Sequence, residues 1–576
     1  MTIPGSENPS KGLSGLINKQ IMKIVLRAVL LTSMWFLSQL YSASQPHYSN
    51  YDRIMQRTGS LAREYPSLCS VSSIGKTMSG KDIMVIRIGS GDDSVKPGIA
   101  VAGGVEGHYM LGKELALGFA ETLLKESSLP EINKLLREVS FYVFPDVSPD
   151  ASESYFQDLK YENSLNSRPV DDDRDFKNGE DPYEDLNNDG FITLVRVADP
   201  SGTYTEYTDD KRVMVPADLS RGEHGSFIVL TEGIDNDGDG KFNEDGPGGV
   251  SFNKNLTYNY EEFGAGAGLH PVSEPETKAV LDYLYDHYNI FAVFTFGPQD
   301  NLTQAARSGE RLPSTLTASQ IPAQGPTGRT GERRITSVQR SDETVLKLVS
   351  ERYKEITGLK GSPPSRSTPG NFMDWAYYHY GRYSFSTPGW WYPADKDKNP
   401  EAAFLKFAEE NKIEDVFVPW TEIVHPGFPG KKTEAGGIKP FCMIVPPEDK
   451  IEELVSVHYK FIAEVAAMHP QLEFLDIKTE EAGENIYRVT LKVHNKGLFA
   501  TCAEAGQNNM WVRLMRLSLE TAKGQTLLSG QKVQRVERLN GGGVAEFSWL
   551  ILGKGKINIS AGAVNTGIIK TSADLK

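Results

Sequence analysis

Two groups of side chains in this chain are spaced for chemistry. The first lies at 103–117, GGVEGHYMLGKELAL, where Glu106 and His108 share a Gly-rich turn between an apolar stretch and an amphipathic one. A carboxylate and an imidazole so close together can bind a metal ion or pass a proton. The second is the acidic stretch 235–245, DNDGDGKFNED. It carries oxygen side chains at its first, third and fifth positions (Asp235, Asp237, Asp239), Gly240 for the turn, and Glu244 further on. That spacing wraps hard oxygen ligands around calcium, which takes about six to eight of them. Asp185, Asn187 and Asp189 repeat the opening, and Asp171, Asp173 and Asp175 give a third, sparser copy. Carboxylates clustered in this way repel one another without a cation, so calcium is expected as a structural ion.

The elements around the first group follow an alternating rhythm. An apolar strand at 98–102 runs into the turn, and a helix at 111–125 leaves it with Leu115, Phe119 and Leu123 on one face. Further strands are predicted at 82–88, 140–147, 290–296 and 383–386, and helices at 48–65, 131–139, 341–356 and 451–468. Strands and helices alternating in this way imply a mostly parallel sheet covered on both faces, with ligands at the carboxyl ends of its strands. Ser273 and Glu276 read as a capping box for a helix buried through Val280, Leu281 and Leu284. Between 152 and 255 the sequence turns polar and rich in Gly and Asp, too long for a plain loop. A surface insertion is expected at 303–340. Past residue 470, short alternating segments at 487–493, 510–517, 544–551 and 557–561 predict an all-β sandwich resembling immunoglobulin-like modules.

The chain has 576 residues and a net charge of −15, with no basic run to offset the acid, which excludes nucleic acid as a partner. Lys19, Lys23 and Arg27 precede an apolar run at 28–40 and small residues at 41–44, the pattern of a secretory signal peptide. No other segment is long and apolar enough to span a bilayer. The mature protein is therefore expected outside the cytoplasm, secreted or periplasmic or at the cell surface. Three scattered cysteines, Cys69, Cys442 and Cys502, make no disulfide framework, leaving one bridge or free thiols. The expected layout is an N-terminal extension and signal at 1–44, an α/β domain at 45–470 with Asp-rich insertions at 171–245, and the sandwich at 471–576.

Five phrases in order resemble the zinc carboxypeptidases of the carboxypeptidase A type. They are GGVEGHYMLGKE at 103–114, VSPD at 147–150, GVSFNKN at 249–255, SEPET at 273–277 and GNFMDWAY at 370–377. The resemblance implies a carboxypeptidase-like fold with a mixed, mostly parallel sheet flanked by helices. In the family the first phrase holds His-x-x-Glu, both zinc ligands; here Glu106 and Tyr109 stand at those positions, and Gly297 stands at the third ligand, a His. The family's general base, a Glu, falls at Pro388 or a neighbour. A catalytic zinc needs three protein ligands, Gly offers none, and Tyr would have to lose a proton of pKa about 10.

The family's Asn-Arg grip on a terminal carboxylate corresponds to Asn253 and Lys254, where Lys keeps the charge but loses the flat fork. Lys254 reads equally as a solvated loop residue. Trp390, Trp391 and Tyr392 read either as a stacking platform for peptide or sugar or as core. The leading expectation is a non-hydrolytic pseudopeptidase that binds a peptide or a peptidoglycan-like fragment. The alternative is a working metallocarboxypeptidase whose zinc is held by substitutes, Glu106 and His108 first among them.

Overall fold

The computed structural model describes residues 48–171, 176–238, 240–243, 246, 248–309, 335–363, 368–394 and 399–576. The expected signal peptide, and Asp173, Asp175, Asp239 and Glu244, lie outside the described residues.

The central sheet holds β1 (Cys69–Lys76), β2 (Asp82–Ile88), β3 (Gly98–Ala102), β4 (Ser140–Phe144), β5 (Ile290–Phe296) and β6 (Tyr383–Thr387), in the spatial order β1-β2-β4-β3-β5-β6. β1, β2 and β4 pair antiparallel, while β4, β3, β5 and β6 run parallel, giving a mixed sheet. Every residue of β3, β4, β5 and β6 is buried, as strands covered on both faces must be. The covering helices include α1 (Tyr51–Glu64), α2 (Met110–Lys125), α3 (Pro130–Glu138), α4 (Pro275–Asp286), α5 (Arg340–Thr357), α6 (Phe372–Tyr378), α7 (Pro400–Glu410) and α8 (Ile451–Ala467).

The capping box expected at Ser273 does not form. Glu274 is the cap residue of α4 and no side chain bonds the helix start. The Ser273 hydroxyl accepts from Asn255 Nδ2 at 3.0 Å and donates to Glu274 Oε1 at 2.7 Å, so it is spent on the preceding loop.

The polar insertion is more ordered than its composition suggested. Four of its segments, Leu194–Ala198, Tyr204–Glu206, Met214–Pro216 and Phe227–Thr231, join Phe417–Ile423 and Thr433–Ile438 in a second six-stranded sheet, antiparallel throughout. Its small core is Val195, Val197 and Ala435. Two of the strands lie some 200 residues further along the chain, which is why the local pattern did not reveal the sheet.

From Leu472 to Leu575 the chain builds two four-stranded antiparallel sheets, and Tyr487, Val489, Leu491 and Trp549 of one pack into a single core with Leu517, Ile557 and Ile559 of the other. The strand expected from 510 starts only at Arg516. Residues Glu504–Asn508 form a short helix, α9, and Met510 is left-handed at φ 63°. The three cysteines are free thiols.

Candidate functional site

The turn after β3 is packed so closely that a β-carbon on Gly103 would overlap the carbonyl of Gly112, and one on Gly104, at φ 68°, would overlap the Asp146 side chain. This compaction seats α2 directly behind the strand end, with Glu106 buried beside it. Beneath it Asp146 accepts from Ser148 N (3.0 Å) and Ser152 Oγ (2.6 Å), with Lys113 Nζ at 3.5 Å, a buried ion pair that anchors the turn.

Glu106 is buried in a polar knot. Its Oε1 accepts from Asn253 Nδ2 at 3.1 Å, and Ser251 Oγ approaches Oε2 at 3.5 Å. The same Asn253 amide donates to Gln299 Oε1 at 2.9 Å, while Asn253 Oδ1 accepts from Phe372 N at 2.8 Å. Gln299 Nε2 in turn donates to Thr368 Oγ1 at 3.1 Å. Burial pushes the Glu106 carboxyl up to about 7, against the pull of the Asn253 bond and the Lys254 charge. Asn253 is fully buried and bonded through both amide atoms, so the expected substrate grip is an interior tie instead. Lys254 Nζ donates to the carbonyl of Ala265 at 2.9 Å, which fastens it to the following loop.

The other expected metal positions do not converge. Tyr109 occupies the cap position of α2 without a side-chain cap bond. His108 is half-buried, its ring 5.1 Å from that of Tyr109, and its Nδ1 has no hydrogen-bond partner; burial pushes it down to about 4 and keeps it neutral. Gly297 is buried, its N–H bound to the Thr387 carbonyl at 3.1 Å, and a β-carbon there would overlap Val105 Cγ2. Val105 thus fills the space a third ligand would need. Among the described residues, no group of three or more His, Cys, Asp or Glu side chains is placed to hold a metal. The donor set does not fit a catalytic zinc.

Pro388 is buried just past β6, and a β-carbon on its neighbour Gly389, at φ 79°, would overlap Leu115 Cδ1, so α2 closes over this strand end. Trp391 and Tyr392 are core. Trp391 Nε1 donates to the Lys360 carbonyl at 2.9 Å and the Tyr392 hydroxyl to that of Pro400 at 3.2 Å. Trp390 is half-buried, 6.3 Å from the Phe407 ring. The stacking platform is therefore reduced to one ring at most.

Beyond Gln299 opens a cavity of about 1330 Å³, walled by the segment after β5 and by α5 and α6, with Asp300, Glu343, Lys347, Met373, Asp374 and Tyr377 on its surface. Burial pushes Asp374 up to about 6. Sequence reasoning passed over Ser251, Gln299 and this cavity, although Ser251 lies inside the GVSFNKN phrase and Gln299 two residues past Gly297.

In the acidic loops the carboxylates cap their own turns. Asp185 accepts from the backbone N–H of Asp189 (3.1 Å) and Gly190 (2.8 Å), Asn187 Oδ1 accepts from Asp189 N (3.0 Å), and Asp235 accepts from Gly238 N (2.6 Å) and Gly240 N (3.0 Å). Asp171 Oδ2 accepts from Phe176 N at 2.9 Å. The two loops are tied together: Asp181 accepts from the N–H groups of Asn236 (3.1 Å) and Asn243 (2.7 Å), and Glu184 from Ile234 N (3.0 Å). The buried Glu232 binds Leu186 N (2.9 Å) and Thr193 N (3.0 Å) from the other side.

Residues 54–193 match the family model described as zinc carboxypeptidase. Over that segment the chain is similar to the zinc carboxypeptidase family. Among curated relatives, carboxypeptidase E of Caenorhabditis elegans is 29% identical over 112 residues, 19% of this chain and 24% of that one. Carboxypeptidase D of Anas platyrhynchos is 26% identical over 213 residues, 35% and 14% respectively. The match thus spans a quarter or less of these two relatives. Among solved structures, carboxypeptidase A of Helicoverpa armigera aligns over 78% of this chain and 86% of its own at 13% identity and a TM-score of 0.40. Bovine thrombin-activatable fibrinolysis inhibitor, in complex with tick carboxypeptidase inhibitor, aligns over 73% and 96% at 14% identity and a TM-score of 0.37. Residues 471–574 match a model described as a domain of unknown function.

Proposed function

We propose that this zinc carboxypeptidase-like protein is non-hydrolytic and that its cavity holds a peptide or a cell-wall fragment. The observation that carries the reading is Val105 in the space of a third zinc ligand at Gly297. Supporting it, Glu106, the carboxylate at the first expected zinc position, is tied to Asn253, and Pro388 offers no proton acceptor. An attacking water would have neither a metal nor a base to activate it. The cavity next to the knot keeps charged and polar walls suited to a peptide.

Calcium bound to the Asp185 and Asp235 loops belongs to the same proposal. It is supported by the oxygen spacing and by the bonds that hold the two loops together. Export from the cytoplasm is proposed from the residues at 19–44; among the described residues no helix is long and apolar enough to cross a membrane.

The unpartnered Nδ1 of His108, two residues from Glu106, favours a second reading, a metallocarboxypeptidase with substitute ligands. Acetylated tripeptides with a free carboxyl terminus, offered with zinc, separate the two. The proposal expects binding by calorimetry and no release of the terminal amino acid; the second reading expects release that Glu106→Ala abolishes.

A further inference from the structure

The C-terminal sandwich is fastened to the two helices that wall the cavity by an exchange of helix caps. Asp342, in the first turn of α5 and fully buried, accepts through Oδ1 from the backbone N–H of Glu504 (2.9 Å) and through Oδ2 from that of Ala505 (3.2 Å), the start of α9. In return Glu504 Oε2 accepts from Ser341 N, at the start of α5, at 2.9 Å. Each acid satisfies the open N–H groups of the other helix and sits at the positive end of its dipole.

Arg538 of the sandwich closes the arrangement. Its Nη2 donates to Asp342 Oδ1 (3.1 Å), the Ser341 carbonyl (3.0 Å) and the Tyr383 hydroxyl (3.3 Å), and its Nε to the Cys502 carbonyl (2.9 Å). The Tyr377 hydroxyl donates to Asp342 Oδ2 at 2.9 Å, which brings α6 onto the same carboxylate. Asn509 Nδ2 donates to the carbonyls of Tyr378 (3.3 Å) and His379 (2.9 Å), so the C-terminal end of α6 is held as well. At Gly381 and Gly506 the two backbones lie so close that a β-carbon on either would overlap the other. Phe499 inserts its ring among Phe291, Tyr383 and Phe385, inside the core of the larger domain.

We infer that residues 499–511 and Arg538 of the C-terminal domain form a clamp that sets the cavity wall by fixing α5 and α6, with Asp342 and Arg538 as its positioning residues. The domain is then a working part of the cavity, not an appended module. The clamp is independent of what the cavity holds, so its test needs no ligand.

Hydrogen exchange of the full chain, read by mass spectrometry, compares the parent with Arg538→Lys and Asn509→Ala. Arg538→Lys keeps the charge and loses the fork; Asn509 is half-exposed, and its variant removes the two bonds to the end of α6 together with the one its Oδ1 accepts from the Trp511 N–H. Exchange across 372–378 is expected to rise about tenfold in the first variant and about threefold in the second, with 98–102, 290–296 and 544–552 unchanged. Should Arg538→Lys fail to fold, Asn509→Ala decides alone. Parent-like exchange at 372–378 in Asn509→Ala, or an equal rise in all four segments, overturns the inference.

Discussion

Val105 and Gly297 share one space. The valine methyl stands where the first carbon of any side chain at 297 would have to go, so strand β5 ends in a position that only glycine fits. Gly297→Ala is therefore expected to cost about 1–3 kcal/mol of stability by overpacking. Val105→Ala in the same chain should recover part of that loss, because the two changes act on one volume. Denaturant unfolding of the two single variants and the double variant reads the coupling; strict additivity would contradict the shared space.

Asn253 is the only donor bonded at once to Glu106 and Gln299 among the described residues. Asn253→Ala leaves two carbonyl-type oxygens and the Phe372 N–H without that partner, for a loss of about 2–4 kcal/mol. Urea titration checks it. A loss below about 0.5 kcal/mol, the range of ordinary surface substitutions, would mean that the knot does not support the fold.

Stability should fall as pH rises from about 4.5 to about 7. Glu106 has a folded pKa of about 7 against 4.5 for the ordinary group, and Glu276 is raised to about 7 as well. A carboxyl raised on folding binds its proton more tightly in the folded chain. Its contribution is thus complete below about 4.5 and is lost as pH rises through about 7. Glu106→Gln is expected to flatten the decline between those values. Melting curves at a series of pH values measure the slope, and a slope unchanged in the variant would contradict the assignment to Glu106.

Calcium should stabilise the chain. At a hundredfold excess over its dissociation constant, one site adds about 2.7 kcal/mol. The melting temperature is expected to rise on adding calcium, to fall back with a chelator, and to respond less in Asp185→Ala and Asp235→Ala. An unchanged melting temperature in the parent would remove calcium from the account.

The central sheet was legible because its strands are continuous apolar runs: β2, β3 and β5 coincide with the predicted segments at 82–88, 98–102 and 290–296. That Gly297 and Pro388 carry no side chain able to coordinate a metal or accept a proton was also legible. What packs around them was not. That Val105 fills the gap, and that Asn253 turns inward to Glu106, depends on contacts between residues more than 140 positions apart. The second sheet escaped notice for the same reason, its six strands coming from two distant stretches. Trp391 shows the limit of composition: an aromatic just past a strand end suits a cleft or a core equally, and its burial with the bond to Lys360 decides for the core.

The most direct measurement is the metal content of the protein by mass spectrometry, after dialysis without strong chelators and with zinc offered in slight excess, paired with assay of tripeptide hydrolysis. Less than a tenth of a zinc per chain and no hydrolysis is the expected result, about the level of adventitious metal. One tightly held zinc per chain, with hydrolysis that Glu106→Ala abolishes, would contradict it.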